Sequence, residues 1–269
     1  MKGKPGNKSA TENIRKELEN YIGKYSIKSL VLGLSGGIDS TLCAVLARPV
    51  CTKLGVPLIG RSITIETNKP DEIQRSIAAG ASFCTDFREV DLTALYKSAA
   101  SAIEELPLED MTEKNTRIRF GNIKARIRMI YLYNLAQKHR GMVLSTDNYT
   151  EYLLGFWTLH GDVGDYGMIQ NLWKTEIYEL AAWLIENELK SETEKKALRD
   201  CIEAVPTDGL GITGSDLDQL EAGSYTEVDS ILMGFLADGK FKDHSVVRRH
   251  HASEFKRNNP FNIPRDRII

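Results

Sequence analysis

An apolar run, Ser29-Leu30-Val31-Leu32-Gly33-Leu34, breaks directly into Ser35-Gly36-Gly37-Ile38-Asp39-Ser40 and then into Thr41-Leu42-Cys43-Ala44-Val45-Leu46-Ala47. The first segment has strand character and the last reads as the opening turns of a helix. A glycine turn between a strand and a helix aims several backbone N–H groups at one point, at the positive end of the helix dipole. Paired glycines let the main chain close on an anion, and Ser35 and Ser40 add hydroxyl donors. Asp39 would repel a bare phosphate, so its position implies a divalent cation that bridges carboxylate and phosphate oxygens. The GxxxxGK[ST] loop is absent, and no lysine stands in the turn.

The rest of the chain has room to build around this turn. With 269 residues it can bury a substantial core as one large domain or two small ones. Acids and bases nearly cancel at a net charge of -2, which gives no general nucleic-acid binder. Cys43, Cys51, Cys84 and Cys201 form no CxxC pair, as expected of reduced thiols in a cytoplasmic protein. The opening residues are polar and basic, unlike a secretory signal, and no apolar run approaches the ~20 residues that span a bilayer.

The pattern predicts a flexible tail over 1–9 and one domain over 10–269 that ends in an extended tail with Pro260 and Pro264. Thr11 or Asn13 is expected to cap a first helix reaching about Lys24. Strands are expected at 29–34, 56–63, 87–92 and 142–146. Helices are expected from 70 to 79 behind Pro70 and two acids, at 93–105, over a long stretch from Arg117 to His139, and at 173–187, 192–203 and 225–237. Strands alternating with helices imply an α/β fold with a doubly wound, mostly parallel sheet. Ligands then sit beyond the C-terminal ends of the strands, where the loops after 34, 63 and 144 converge.

Two further stretches carry chemistry. In Gly121-Asn122-Ile123-Lys124-Ala125-Arg126-Ile127-Arg128-Met129, Asn122, Arg126 and Met129 share one helical line, and Lys124 and Arg128 another. The apolar neighbours of Arg126 favour a partly buried cation with a fixed anionic partner. In Ser145-Thr146-Asp147-Asn148-Tyr149-Thr150-Glu151, Thr146 offers a hydroxyl to a ribose or base, and Glu151 can complete a magnesium site with Asp39. Adjacent His250 and His251 diverge on a helix and read as surface residues. Phe156 and Trp157 fit either core packing or stacking on a ring.

S-G-G-x-D-S resembles the pyrophosphate loop of the ATP pyrophosphatases, which cleave between the α- and β-phosphates and adenylate a substrate. Taken with G-N-x-K-A-R-x-R-M, T-D-N-x-x-E and G-F-x-T-x-x-G-D in this order, the chain resembles the ammonia-dependent NAD synthetases over about 25–235. The resemblance implies a five-stranded Rossmann-like sheet and amidation of deamido-NAD through an acyl-adenylate, with ATP as co-substrate, Mg²⁺, free ammonia and a homodimer built on the 117–139 helix. It implies ATP phosphates on Ser35, Gly36, Gly37, Ile38, Asp39 and Ser40, with Arg61, Thr146, Lys174 and Thr207 also at ATP, and magnesium on Asp39 and Glu151. It implies deamido-NAD at Arg126 and Asp165; Asn122 and Phe255 are expected at the same site, with His160 and Lys256 in place of lost contacts, Asp39, Lys174 and Asp165 catalytic, and Asp165 taking the proton that ammonium must lose.

The chain departs from the family pattern in three places. Leu159-His160-Gly161-Asp162 lacks the usual lysine, Gly161-Asp162-Val163-Gly164-Asp165 is one residue short, and Phe255-Lys256-Arg257 replaces His-Lys-Arg. All three lie on the acceptor side. The competing readings are another adenylating pyrophosphatase, such as a tRNA-modifying one, and a nucleotide sensor without turnover. The first would need a basic, aromatic RNA surface, and the second would not need Asp39, Glu151 and Lys174 together.

Overall fold

The run at 29–34 forms β1 (Leu30–Gly33), the central strand of a five-stranded sheet in the order β3-β2-β1-β4-β5. The computed structural model describes residues 6–66, 68–104, 114–205, 217 and 220–269. The other strands are β2 (Leu58–Thr64), β3 (Asp86–Asp91), β4 (Met142–Ser145) and β5 (Tyr166–Gly167), and every pairing is parallel. Two residues are too few to show a period, which is why β5 escapes a reading of the sequence. Asp165 secures it to β4: its N–H donates to Val143 O at 2.7 Å, and its carboxylate accepts from Val143 N–H at 2.9 Å.

Strand β1 feeds two cores because its side chains alternate. Leu30 and Leu32 enter a large core with Leu42, Leu46, Ile177 and Leu184, while Val31 faces Ile59, Ala136 and Val143 on the other side. The first core is covered by α1 (Asn7–Tyr25), α2 (Ile38–Leu54), α3 (Pro70–Phe83), α7 (Lys174–Asn187) and α8 (Glu192–Ile202). The opposite face is covered by α4 (Thr93–Ile103) and α5 (Lys114–Lys138). Burial on both faces explains why β1 and β4 read as continuous apolar runs.

A third core joins α6 (Tyr149–Leu154), α9 (Tyr225–Asp238) and α10 (Ser245–Ala252) through Leu153, Leu154, Tyr225, Val228, Val246 and Val247. Helix α10 and the short α11 (Glu254–Arg257) occupy a stretch where the sequence pattern announces no element. From Asn258 onward the chain is exposed, with one 3-10 turn at Arg265–Arg267. Helix α1 begins at Asn7, within the stretch 1–9 expected as a tail, and Thr11 lies inside the helix with its hydroxyl on Asn7 O at 2.8 Å.

Connections from β1 run one way to β2 and β3, and β4 and β5 lie on the other side of β1. The order therefore reverses between β1 and β4, and a crevice opens there beyond the C-terminal strand ends.

Candidate active site

A cavity of about 530 Å³ fills that crevice. Its floor is the turn that follows β1. Gly36 has φ +80°, and a Cβ there would lie 2.2 Å from Glu72 O, so the turn closes only on glycine. Ser35 Oγ accepts from Gly37 N–H at 3.2 Å and lies 3.2 Å from Ser40 Oγ, which fixes both hydroxyls at the mouth of α2. Gly37 is the N-cap of α2 and supplies no side-chain cap, so the first-turn N–H groups are left to an anion.

Three helix N-termini meet above this floor. Asp39 stands in the first turn of α2, Glu151 in the first turn of α6, and Lys174 opens α7. Lys174 Nζ donates to Asp39 Oδ2 at 2.5 Å and to Glu151 Oε1 at 3.0 Å. Asn148 locks the group: its Oδ1 caps Glu151 N at 3.0 Å, and its Nδ2 donates to Asp39 Oδ1 at 2.9 Å. Asp229, buried on α9, ties the α6 and α7 ends together. It accepts from Thr150 Oγ1 at 2.6 Å and from Thr175 N–H at 2.9 Å, while Thr150 Oγ1 accepts from Lys174 N–H at 2.9 Å.

The electrostatics follow from burial. Burial pushes the Glu151 carboxyl up to about 7 against the pull of Lys174. Burial also opposes the Lys174 charge, but Asp39 and Glu151 outweigh it and hold the ammonium well above its ordinary range. Burial, with Glu151 and Asp162 nearby, raises Asp147, and burial raises Asp162. One lysine thus serves two carboxylates, and the pair lies within reach of a single cation. Among the described residues no group of three or more His, Cys, Asp or Glu converges as a metal centre. A divalent cation here would complete its shell with phosphate oxygens and water, the coordination Mg²⁺ favours.

The remaining predicted residues are spread more widely. Thr146 and Asn122 line the cavity, and Asn122 Oδ1 accepts from Thr158 Oγ1 at 2.8 Å. Arg61 lines it from the middle of β2 rather than its end, and its guanidinium is committed to both Asp86 carboxylate oxygens at 3.2 Å and to Gly60 O at 2.8 Å. Its buried Nε has no hydrogen-bond partner among the described residues. Thr207 lies outside the described residues.

Arg126 is exposed and donates to Leu159 O at 3.1 Å. The expectation of a partly buried Arg126 is corrected by helix phase: Lys124 is buried and Arg128 half-buried against Ile63 O of β2, while Arg126 is exposed. Arg128 lines the cavity and donates to Asn68 Oδ1 at 3.1 Å, and the i, i+4 pairing of Lys124 with Arg128 was its sequence signal.

His160 is exposed at φ +55°, and Phe255 is 60% exposed; neither is among the described residues lining the cavity. Asp165 is outside that lining too, with its carboxylate on Val143 N–H and on Tyr133 OH at 2.9 Å. Asp162, three residues earlier, is the carboxylate that enters the cavity, and it accepts from Thr158 N–H at 2.5 Å. Lys256 lines the cavity while donating to Gly155 O at 2.7 Å and Trp157 O at 2.5 Å. Phe156 and Trp157 line it as well. His250 is half-buried rather than on the surface, with Nδ1 2.9 Å from Leu153 O. Asn148 stands in the T-D-N-x-x-E motif but was not singled out there, whereas Asp229 and Arg249 had no motif to announce them.

Comparison with known proteins adds a lineage to this geometry. The NAD synthase family model matches residues 10–263. The NH(3)-dependent NAD(+) synthetase of Methanosarcina mazei is 33% identical over 264 residues, covering 93% of this chain and 96% of that protein. Its counterpart from Thermoplasma acidophilum is 31% identical over 242 residues, covering 88% and 90%. Among solved structures, NMN synthetase from Francisella tularensis superposes with a TM-score of 0.80 at 24% identity, covering 97% of this chain and 100% of that one. The NH3-dependent NAD synthetase from Campylobacter jejuni gives 0.73 at 22% identity, with the same coverage. At these identities the structural likeness is one of fold.

Proposed function

The chain belongs to the NAD synthase family, ligases that form a C–N bond, and on that premise we propose that it amidates deamido-NAD to NAD with ATP and ammonia. The observation that carries the reading is the meeting of Asp39, Glu151 and Lys174 over an uncapped helix N-terminus. The nicotinate carboxylate attacks the α-phosphorus of ATP, a P–O bond forms, and the bond to pyrophosphate breaks. The acyl-adenylate then has a good leaving group where the carboxylate had none. Ammonia attacks the acyl carbon, and AMP departs with the bonding electron pair.

The chain's own part is positioning and charge. The α2 N–H groups with Ser35 and Ser40 hold the outer phosphates, and Lys174 offsets charge that grows on pyrophosphate. Asp39 and Glu151 would hold Mg²⁺, which when bound screens phosphate charge. The amide nitrogen sheds protons as it forms. Asp162, in the cavity with a raised carboxyl, serves that role better than Asp165, whose carboxylate is spent on the sheet edge. We extend the proposal to a cytoplasmic homodimer with α5 at the interface, an arrangement that would bring exposed Arg126 and His160 to an acceptor bound across it. No helix among the described residues is long and apolar enough to cross a membrane.

The test is pyrophosphate release with ATP, Mg²⁺ and ammonium, comparing deamido-NAD with nicotinate mononucleotide, tRNA and no acceptor. The mononucleotide is included because one structural neighbour is an NMN synthetase. Release with deamido-NAD and production of NAD are expected. Release only with the mononucleotide or only with tRNA reassigns the acceptor, and tight ATP binding without release leaves a sensor.

A further inference from the structure

We infer that Arg75 is a second phosphate-binding cation of the active site, one that also sets the shape of the loop it serves. The inference rests on reading the cavity as the ATP site. Arg75 lies on α3, lines the cavity beside Ser35–Ser40, and donates from Nε to Gly36 O at 2.9 Å. In a trans peptide the carbonyl and the following N–H point in opposite directions. Holding Gly36 O toward α3 therefore turns the Gly37 N–H toward Ser35 Oγ, on the cradle side.

The need for a further cation follows from the charges already there. The turn carries no lysine. Lys174 is divided between Asp39 and Glu151, so these three side chains sum to one negative charge when all are ionised. Arg61 is committed to Asp86, while Arg249 and Lys256 donate to carbonyls at the far end of α6. Arg75 contacts the backbone of the phosphate turn directly, at Gly36 O. Two hydrogen bonds, to Gly36 O and to Asp71 Oδ2 at 2.7 Å, use two of its five N–H groups. The Asp71 side chain is 64% exposed against 16% for Arg75, so solvent screens the carboxylate while the guanidinium faces the cavity. A planar fork anchored at Nε presents its outer N–H groups to phosphate oxygens in a fixed direction, which a lysine cannot do.

Calorimetric titration of magnesium pyrophosphate into the full chain tests this without turnover. Arg75→Met should weaken binding about tenfold or more, the size of one hydrogen bond to a charged group. Arg75→Lys should lose about threefold, keeping charge but not the fork. Asp71→Asn should change binding in the opposite direction, tightening it about twofold, because it frees the guanidinium from an exposed partner. Adenosine, which has no phosphate, should bind all four proteins alike.

Unchanged pyrophosphate affinity in Arg75→Met overturns the inference. If Arg75→Met loses adenosine as well, Arg75→Lys decides: wild-type pyrophosphate affinity in it overturns the fork, and weakened pyrophosphate with intact adenosine upholds it. A wild-type chain that binds ATP but not pyrophosphate overturns the reading of the loop itself, a result distinct from any effect of Arg75.

Discussion

The two walls of the cavity were built in different ways. On the nucleotide wall, Asp39, Glu151 and Lys174 each stand in the first turn of a helix, and both carboxylates meet Lys174 Nζ. On the acceptor wall, Asn122 comes from the middle of α5, Asp162 from a loop and Lys256 from α11, while Arg126, His160, Asp165 and Phe255 lie outside the lining. A helix N-terminus places its side chains at a strand's end whatever the rest of the fold does, so the first wall is set by three short segments. The second depends on the phase of a 25-residue helix and on the docking of the C-terminal helices.

The sharpest way to break this contrast is Asp39→Asn. Losing its charge removes one of the two carboxylates that meet at Lys174, and turnover should fall at least about 10³-fold. The fold should survive, since the amide keeps the shape, and a melting temperature within a few degrees of wild type would show it. Wild-type rates in Asp39→Asn would remove the nucleotide wall's claim to the chemistry.

Glu151→Gln should cost about 10²-fold and change the pH profile as well. Burial raises this carboxyl from an ordinary 4.5 to about 7, so below about 7 it holds a proton and cannot serve Lys174 or a cation. In the wild type kcat/KM for ATP should therefore climb as pH rises through about 7, and in Glu151→Gln that rise should flatten. Stability moves the other way. The folded chain holds this proton more tightly than the unfolded one, so Glu151 lowers stability progressively as pH rises from about 4.5 to about 7. Denaturant melts of both proteins across that window would measure the difference, and a rate profile unchanged by the substitution would place the titrating group elsewhere.

The reason one wall was legible and the other was not lies in these same distances along the chain. Ser35–Ser40 reads as an anion cradle because a strand, a glycine pair and a helix adjoin within a few residues. Asn148 and Glu151 form a capping box three residues apart, which a sequence can display. Lys174 was carried by resemblance, and nothing local announces that Asp229, more than fifty residues later, aligns it. The misplacement of Arg126 has a simple cause: apolar neighbours in sequence are not neighbours on a helix, and the buried line of α5 runs through Lys124 and Arg128. Asp165 likewise rests on resemblance, yet the two-residue strand β5 uses it to extend the sheet.

Arg128→Met tests the phase of α5. Arg128 is the cavity-lining arginine of that helix, so its loss should raise the KM for the acceptor about tenfold while the KM for ATP stays within about twofold. Arg126→Met measured alongside sharpens the result. If its effect is as large as that of Arg128→Met, the acceptor reaches an exposed face of α5, and a second copy of the chain must bring it there.

The smallest effect is expected at Phe255, and it bears on the C-terminal helices. Phe255 is 60% exposed, whereas its neighbours Lys256 and Arg257 donate to carbonyls at and just beyond the C-terminal end of α6: Gly155 O and Trp157 O for the lysine, Leu153 O at 2.6 Å for the arginine. Those carbonyls have no partner within the helix, so the two cations hold the end of α6 whose other end carries Glu151. Phe255→Ala should leave acceptor kcat/KM within about twofold, since an exposed side chain gives up little burial. Lys256→Met should lower it about tenfold, through the loss of hydrogen bonds to a charged group. Steady-state kinetics on the pair would settle which of them works. A large loss at Phe255 with little at Lys256 would mean that the acceptor wall closes on its substrate from outside the cavity, and the two walls would then differ in when they form rather than in how they are built.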